Sequence, residues 1–415
     1  MFKKFTLTTW IVIGMVCGII AGLVFGPVMG EFKFIGDIFL RLIQMSVVLL
    51  VMGAVIEAVG SIKPRELGRL GGKTVIGFMI TTFIAATIGI ILANTIKPGA
   101  GIPMIELETE IKPPDSTFIE MLVNFFPTNI INAMANANMI QVIVFAMLFG
   151  LALSIIGKSE NENKIIALIK DFNAAILSLV KIVMKMAPIG IFALLGWVTG
   201  TIGIIVIIPL AKFLIAMAIG SGLMLLLFIT LVSIYGKINP IRLARKFYRM
   251  ALVAFTTTSS AITLPVKMAD AENLIGISKR VSRLVNPLGM SINSDGLALY
   301  LALACITIGQ FFDLNLTLTQ QVTIVVMSVL ATLGTVVVPG GGLVALAIVL
   351  PAVGLPLEGI AILAGIDWFS GMFRTVMNVI DDVIIALFVA ISEGEFDRDI
   401  FMSDEVSKAP DSINI

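Results

Sequence analysis

Predominantly apolar runs recur along almost the whole of this chain, near residues 10–29, 34–59, 73–96, 134–156, 165–198, 202–235, 284–311 and 355–390. A helix needs ~20 such residues to cross a bilayer, which leaves room for roughly eight crossings. Hydrophobic residues make up 58% of the 415 positions and charged residues 13%, against about 45–50% and ~25% in soluble domains. The excess is spread along the chain rather than gathered at one end. The chain therefore reads as an all-α polytopic membrane protein, not a globular one with an anchor. Its first run is long enough to span and lacks a small-residue cleavage site, so it reads as a transmembrane helix and not a signal peptide.

Composition also removes whole classes of chemistry. A net charge of +1 and the lack of a basic tail give no footing for a nucleic-acid partner. Cys17 and Cys305 both lie inside apolar runs, so neither a disulfide framework nor a thiolate metal site is expected. Histidine is absent, which takes away imidazole acid–base catalysis and the usual pH switch. An intramembrane enzyme would need an activated nucleophile or a metal pair, and the sequence offers neither, so no enzymatic activity is expected.

Loop charges orient the spans by the positive-inside rule. Lys3 and Lys4 precede the first span, and Lys63, Arg65, Arg69 and Lys73 follow the second. Lys158, Lys164 and Lys170 follow the fourth, and Lys237, Arg242, Arg245, Lys246 and Arg249 follow the sixth. Glu31, Glu106, Glu108, Glu110 and Asp115 mark the opposite side. Segment 250–266 carries five hydroxyl residues, Thr256 to Ser260, and is interrupted by Pro265. Basic residues flank it on both sides, the later ones being Lys279, Arg280 and Arg283, so it enters and leaves from inside. Segment 322–350, broken at Val338-Pro-Gly-Gly-Gly342, enters and leaves from outside by the same logic. Two re-entrant hairpins of opposite orientation, each followed by a full span, form an inverted repeat of the kind found in secondary transporters. Two kinked helices are the other reading, at the expense of conflicting loop orientations.

The last span carries charge that lipid would reject. Asp367, Gly371, Arg374, Asn378 and Asp382 fall on one helical stripe, and a charge at the bilayer centre costs ~2.5–3.5 kcal/mol even on a lenient scale. An ion pair of Asp367 with Arg374 accounts for those two residues and leaves Asp382, beside Asn378, with no basic partner near it in sequence. That pairing resembles half of a hard-cation site. The preceding span offers Asn293-Ser-Asp295-Gly296, again carbonyl and carboxylate oxygens, and Thr81 and Thr82 on the third span add hydroxyls. The planar fork of Arg374 suits a carboxylate, which points to an anionic solute.

Read together, these features resemble the dicarboxylate/amino acid:cation symporter family, over nearly the whole chain. The resemblance is carried by Phe126-Pro-Thr-Asn129, Ala135-Asn-Ala-Asn138, Thr263-Leu-Pro265, Asn293-Ser-Asp-Gly296, Gly334-Thr335 through Gly342, and Arg374-Thr-Val-Met-Asn378 with Asp382. It implies eight transmembrane helices plus two re-entrant hairpins, assembled as a homotrimer in a cell membrane with both termini cytoplasmic. Residues 1–70 and 120–200 would form a scaffold. Residues 71–119 and 201–395 would form a transport domain that moves like an elevator, and 396–415 a cytoplasmic tail. The resemblance further implies that Arg374 holds the distal carboxylate of the solute and that Asn378 and Ser260, with Ser259 and Thr375 beside them, hold the near one. The backbone of Val338 and Gly342 would close over it. Sodium, the coupled ion, would sit at Asp382, Asn293 and the Gly289 carbonyl, with Asn378 shared between ion and solute. A second sodium would use Thr81, Thr82, Asn293 and Asp295, and a third Ser291, Thr332 and Thr335.

Four positions depart from the family pattern. Amino-acid carriers place an aspartate where this chain has Gly371, to hold the substrate ammonium. Leu297 stands where a hydroxyl residue is usual, Leu301 where proton-coupled members are acidic, and Ser294 where methionine is expected. Keeping Arg374 without an ammonium partner favours a C4-dicarboxylate as solute. An acidic amino acid is the alternative, and an anion channel a remote one.

Overall fold

The computed structural model describes residues 7–60, 70–100, 123, 126–136, 138–156, 164–203, 205, 207–333 and 341–403. These are almost entirely helical, and the one β feature among them is an isolated antiparallel bridge between Ile277 and Phe396. The first half comprises α1 (Leu7–Phe25), a 3-10 turn (Gly26–Phe32), α2 (Lys33–Gly60), α3 (Gly72–Ile96), α4 (Ile130–Ala135), α5 (Met139–Ile156), α6 (Lys164–Met184) and α7 (Ala187–Ile202). The second half comprises α8 (Ile207–Gly236), α9 (Pro240–Lys246), α10 (Tyr248–Thr257), α11 (Ser260–Asp270), α12 (Lys279–Ile292), α13 (Asp295–Phe311), α14 (Leu318–Leu333), α15 (Gly341–Ala352), α16 (Gly359–Ala364), α17 (Asp367–Glu393) and α18 (Arg398–Met402). Among the described residues five segments are long and apolar enough to cross a membrane: Thr9–Phe39, Gly72–Ile96, Ile207–Gly236, Lys279–Phe311 and Asp367–Glu393.

The polarity of the packing is that of a membrane protein. On α3, Ile76, Ile80, Phe83 and Ile91 are exposed along one face, while Phe78, Thr82, Ala85, Gly89 and Ala93 turn inward. At the centre lies α13, whose residues are all buried except Gln310. A helix apolar on every side needs a bundle around it, and α3, α8, α14, α15 and α17 supply one. The helices α1, α2, α5, α6 and α7 pack chiefly among themselves.

Four runs depart from the simple spans read from the sequence, each for a local reason. The fifth run is two helices, because Pro188 lies in the first turn of α7 and cannot continue α6. The first hairpin breaks at Thr258 and Ser259, not at Pro265. Thr258 takes a left-handed conformation and the Ser259 hydroxyl accepts from the Ile262 N–H, so the second arm is capped there and Pro265 is carried inside α11. The seventh run unwinds at Asn293 and Ser294. The eighth opens with the short α16 before α17, which then runs on to Glu393 and stops at Gly394 in the left-handed region. Thr335 and Val338, at the tip of the second hairpin, lie outside the described residues.

Lipid supplies no hydrophobic drive between helices, so close backbone approach must do so. Gly14, Gly18 and Gly22 on α1 meet Pro188, Phe192 and Gly196 on α7. A Cβ at Gly18 would stand 2.6 Å from the Phe192 carbonyl oxygen, with backbone and not a movable side chain in the way. Gly222 on α8 has open space instead. Gly18→Ala is therefore expected to destabilise by about 1–3 kcal/mol through overpacking, while Gly222→Ala is neutral or slightly stabilising. Thermal unfolding of the two purified variants checks the contrast.

Candidate functional site

The arms of the first hairpin and the broken pair α12–α13 pack against α17, and polar side chains converge there. Arg374, on α17, pairs with Asp367 one side at Nη2–Oδ1 2.9 Å and also donates from Nη2 to the Asp367 carbonyl at 3.1 Å. Its guanidinium lies 4.4 Å from the centre of the Tyr300 ring. Gly342, at the start of α15, is so close that a Cβ there would overlap Arg374 Nη1. That Nη1 is buried without a hydrogen-bond partner among the described residues. The ion pair read from the sequence thus exists, and it leaves one edge of the guanidinium free.

The other residues assigned to the solute make contacts of their own. The amide oxygen of Asn378 accepts from the Gly296 N–H at 2.7 Å, tying α17 to the start of α13 and leaving the amide NH2. The Thr375 hydroxyl donates to the Gly371 carbonyl at 2.8 Å. Gly371 has one neighbour within reach of a Cβ, Arg374 Nη2 at 3.2 Å, so a side chain there would project beside the guanidinium. The hairpin tip carrying Ser259 and the buried Ser260 reaches α17 through its first arm, where Phe255 meets Phe373 edge-on at 6.1 Å.

Of the residues assigned to cations, Thr82, Asn293, Asp295, Asp382 and Gly289 form a second, connected cluster. The Thr82 hydroxyl lies 2.6 Å from Asp295 Oδ1, 3.2 Å from Asn293 Oδ1 and 2.7 Å from the Phe78 carbonyl. One hydroxyl proton cannot serve three acceptors. The excess of oxygen over hydrogen, with Thr81 adjacent and Asp295 Oδ2 unpartnered among the described residues, is the chemistry of a hard-cation site. Ser291 and Thr332 give their hydroxyls to their own helices, at the carbonyls of Pro287 and Val329.

Asp382 is the position where the structure corrects the sequence reading. It has a basic partner: Lys267, from α11, places its Nζ 2.6 Å from Asp382 Oδ2, and both side chains are 0–1% exposed. Lys267 also donates to the Asn286 carbonyl at 3.2 Å. The other carboxylate oxygen, Oδ1, accepts from Asn293 Nδ2 at 3.0 Å and lies against Gly289. Lys267 was missed because the apolar run of the hairpin ends at Val266, one residue earlier, and its partner is 115 positions away. A cation one residue past the apolar run of an intramembrane hairpin was the available signal. Asp381 is also fully buried, with both oxygens unpartnered among the described residues, and its electrostatic neighbours are Asp295 and Asp382.

Comparison with protein families matches residues 7–392 to the sodium:dicarboxylate symporter family. Among curated proteins, the chain is 36% identical to a proton/glutamate-aspartate symporter of Bacillus subtilis (strain 168), over 87% of this chain and 89% of that one. It is 34% identical to a proton/sodium-glutamate symport protein of Geobacillus stearothermophilus, over 88% of each. It is 31% identical to a C4-dicarboxylate transport protein of Bacillus subtilis (strain 168), over 96% of each. With the breaks, the arginine and the oxygen cluster in place over nearly its full length, the chain is a membrane protein that belongs to the sodium:dicarboxylate symporter family.

Proposed function

We propose that this protein is a sodium-coupled symporter of a C4-dicarboxylate. The observation that carries the solute class is the pairing of a free guanidinium edge on Arg374 with the bare Gly371 beside it. One carboxylate is met by Arg374 Nη1, the other by the Asn378 amide with Ser260, Ser259 and Thr375 around it, under the Gly342 backbone and Val338. An amino acid would bring an ammonium into the same dry pocket, where an unpaired charge is strongly unfavourable. Asp381 is no substitute for the missing acid, since its neighbours are Asp295 and Asp382 rather than Arg374. The second reading, an acidic amino acid, is favoured by the relatives that are named glutamate and aspartate symporters.

Sodium travels as a co-substrate in this reading, and the proton-deficient oxygens of Thr82, Asn293 and Asp295, with Thr81, are its best-supported seat. A further ion at Ser291, Thr332 and Thr335 is part of the proposal. So is the architecture: eight spans and two oppositely oriented hairpins, a homotrimer in the cell membrane, cytoplasmic termini, and an elevator movement of residues 71–119 and 201–395 against 1–70 and 120–200. The separate packing of α1, α2, α5, α6 and α7 supports that division.

Binding of succinate, fumarate, malate, aspartate and glutamate to the purified protein, in sodium and in choline, tests the reading. Equal affinity in both salts would remove sodium as the driver. Arg374→Ala is expected to weaken succinate binding by ~1.5–3 kcal/mol or more, about tenfold to a hundredfold, with thermal unfolding still cooperative. Retained affinity would reduce Arg374 to a structural partner of Asp367. Gly371→Asp is expected to reverse the order of succinate and aspartate affinities, by orders of magnitude when the site is built around the polar group. Wild-type protein that binds aspartate tightly and ignores succinate would overturn the dicarboxylate assignment.

A further inference from the structure

The donor set that the family resemblance assigns to one sodium ion is assembled around Asp382, yet it is already engaged. Asp382, Asn293 and Gly289 are within contact of one another. The Asn293 amide, however, turns its NH2 toward Asp382 and its oxygen toward Thr82. It therefore contributes no acceptor to a cation at Asp382. The position a metal ion would take is filled by the Lys267 ammonium, 2.6 Å from one carboxylate oxygen and 3.2 Å from the Asn286 carbonyl. Both members of the pair are sealed from solvent. A free cation beside that ammonium would meet like charge in a low-dielectric interior.

We propose that Lys267 is a tethered cation that holds the place of one sodium ion, so that this carrier couples one fewer sodium than its framework of oxygens implies. The proposal rests on the reading of the protein as a sodium-coupled symporter. The ammonium joins α11 of the first hairpin, α12 through Asn286 and α17 through Asp382. Of these, α12 and α17 are the elements that an ion bound between Asp382 and the Gly289 region would bridge. A dissociable ion links those elements only when sodium is present, whereas Lys267 links them in every state of the cycle. The charge compensation of Asp382 is thus permanent, and sodium dependence falls to the oxygen cluster at Thr82, Asn293 and Asp295. A lysine retained merely for stability would be an odd choice, since apolar replacement of a buried ion pair is often neutral or stabilising.

The number of sodium ions taken up with substrate is the slope of log Kd against log sodium concentration, by linkage. Succinate binding to purified wild-type protein, to Lys267→Thr, and to the doubly neutral Lys267→Met/Asp382→Asn gives three slopes. Lys267→Thr is expected to steepen the slope by one, an extra factor of about ten in Kd for each tenfold fall in sodium. The double variant, with no charge left unpaired, is expected to keep the wild-type slope. An unchanged slope in Lys267→Thr, or a slope reduced by one in the double variant, would overturn the proposal, the latter because a sodium ion would then have been sitting on Asp382. If Lys267→Thr unfolds without sodium and is restored by sodium but not by choline, the proposal is supported by that alone. Thermal shifts with sodium and no solute keep the two readings separable. Absence of succinate binding in the wild type would defeat the dicarboxylate assignment, while a sodium-dependent stabilisation gained by Lys267→Thr would still uphold the tethered cation.

Discussion

Inside a bilayer no water is present to take up a backbone N–H or C=O, and each unsatisfied group costs several kcal/mol. Every break in a helix at that depth must therefore be enclosed by protein, and this requirement organises the whole molecule. The two hairpins, the unwound residues Asn293 and Ser294, and the stop at Gly365 and Ile366 all lie within the group of helices around α13 and α17. The freed groups find partners there: Gly296 N–H reaches Asn378, and the Ser259 cap takes the Ile262 N–H. The enclosure that repairs the backbone also gathers oriented dipoles and buried polar side chains in one region, which is what a binding site for ions and small anions requires.

Charge within that region is unevenly matched. Asp295, Asp381 and Asp382 are all buried, Lys267 pairs with Asp382, and Arg374 is already shared with Asp367. Buried carboxylates in excess of their cations create a demand for positive charge from outside, and a symporter meets that demand only transiently. The demand is greatest at Asp295 and Asp381, where Asp295 Oδ2 and both Asp381 oxygens lack partners among the described residues. It is met internally at Asp382. The same few residues thus separate a permanent compensation from an exchangeable one. Arg374 shows the complementary case: its pairing with Asp367 fixes the direction of the guanidinium and leaves the buried Nη1, beside Gly342, without a hydrogen-bond partner among the described residues.

Much of this was legible in the linear chain. Long apolar runs, the Thr256–Ser260 hydroxyls and the Asp367–Asp382 stripe each signal themselves locally, because hydropathy, helix breaking and the cost of charge in lipid act on neighbouring residues. The Asp367–Arg374 pair was legible for the same reason, being two turns apart on one helix. The exact points of rupture were less so. Pro265 looks like a breaker and is not one, since a capping serine six residues earlier decides where the arm begins. Pro188 sits within a run whose apolar character conceals that it ends a helix.

The sequence by itself determined that this chain is a bundle of membrane helices with a charged stripe on its last span, because those properties follow from local hydropathy and spacing. Only the tertiary structure decided how the charges are paired. Lys267 and Asp382 are far apart in the chain, and nothing near either residue announces the other. Their contact depends on the Thr258–Ser259 turn folding α11 back, and on α11, α12 and α17 meeting at one depth. A carboxylate that reads along the chain as a vacant cation ligand is, in space, already neutralised, because electrostatic energy depends on distance through the fold and not on separation along the chain.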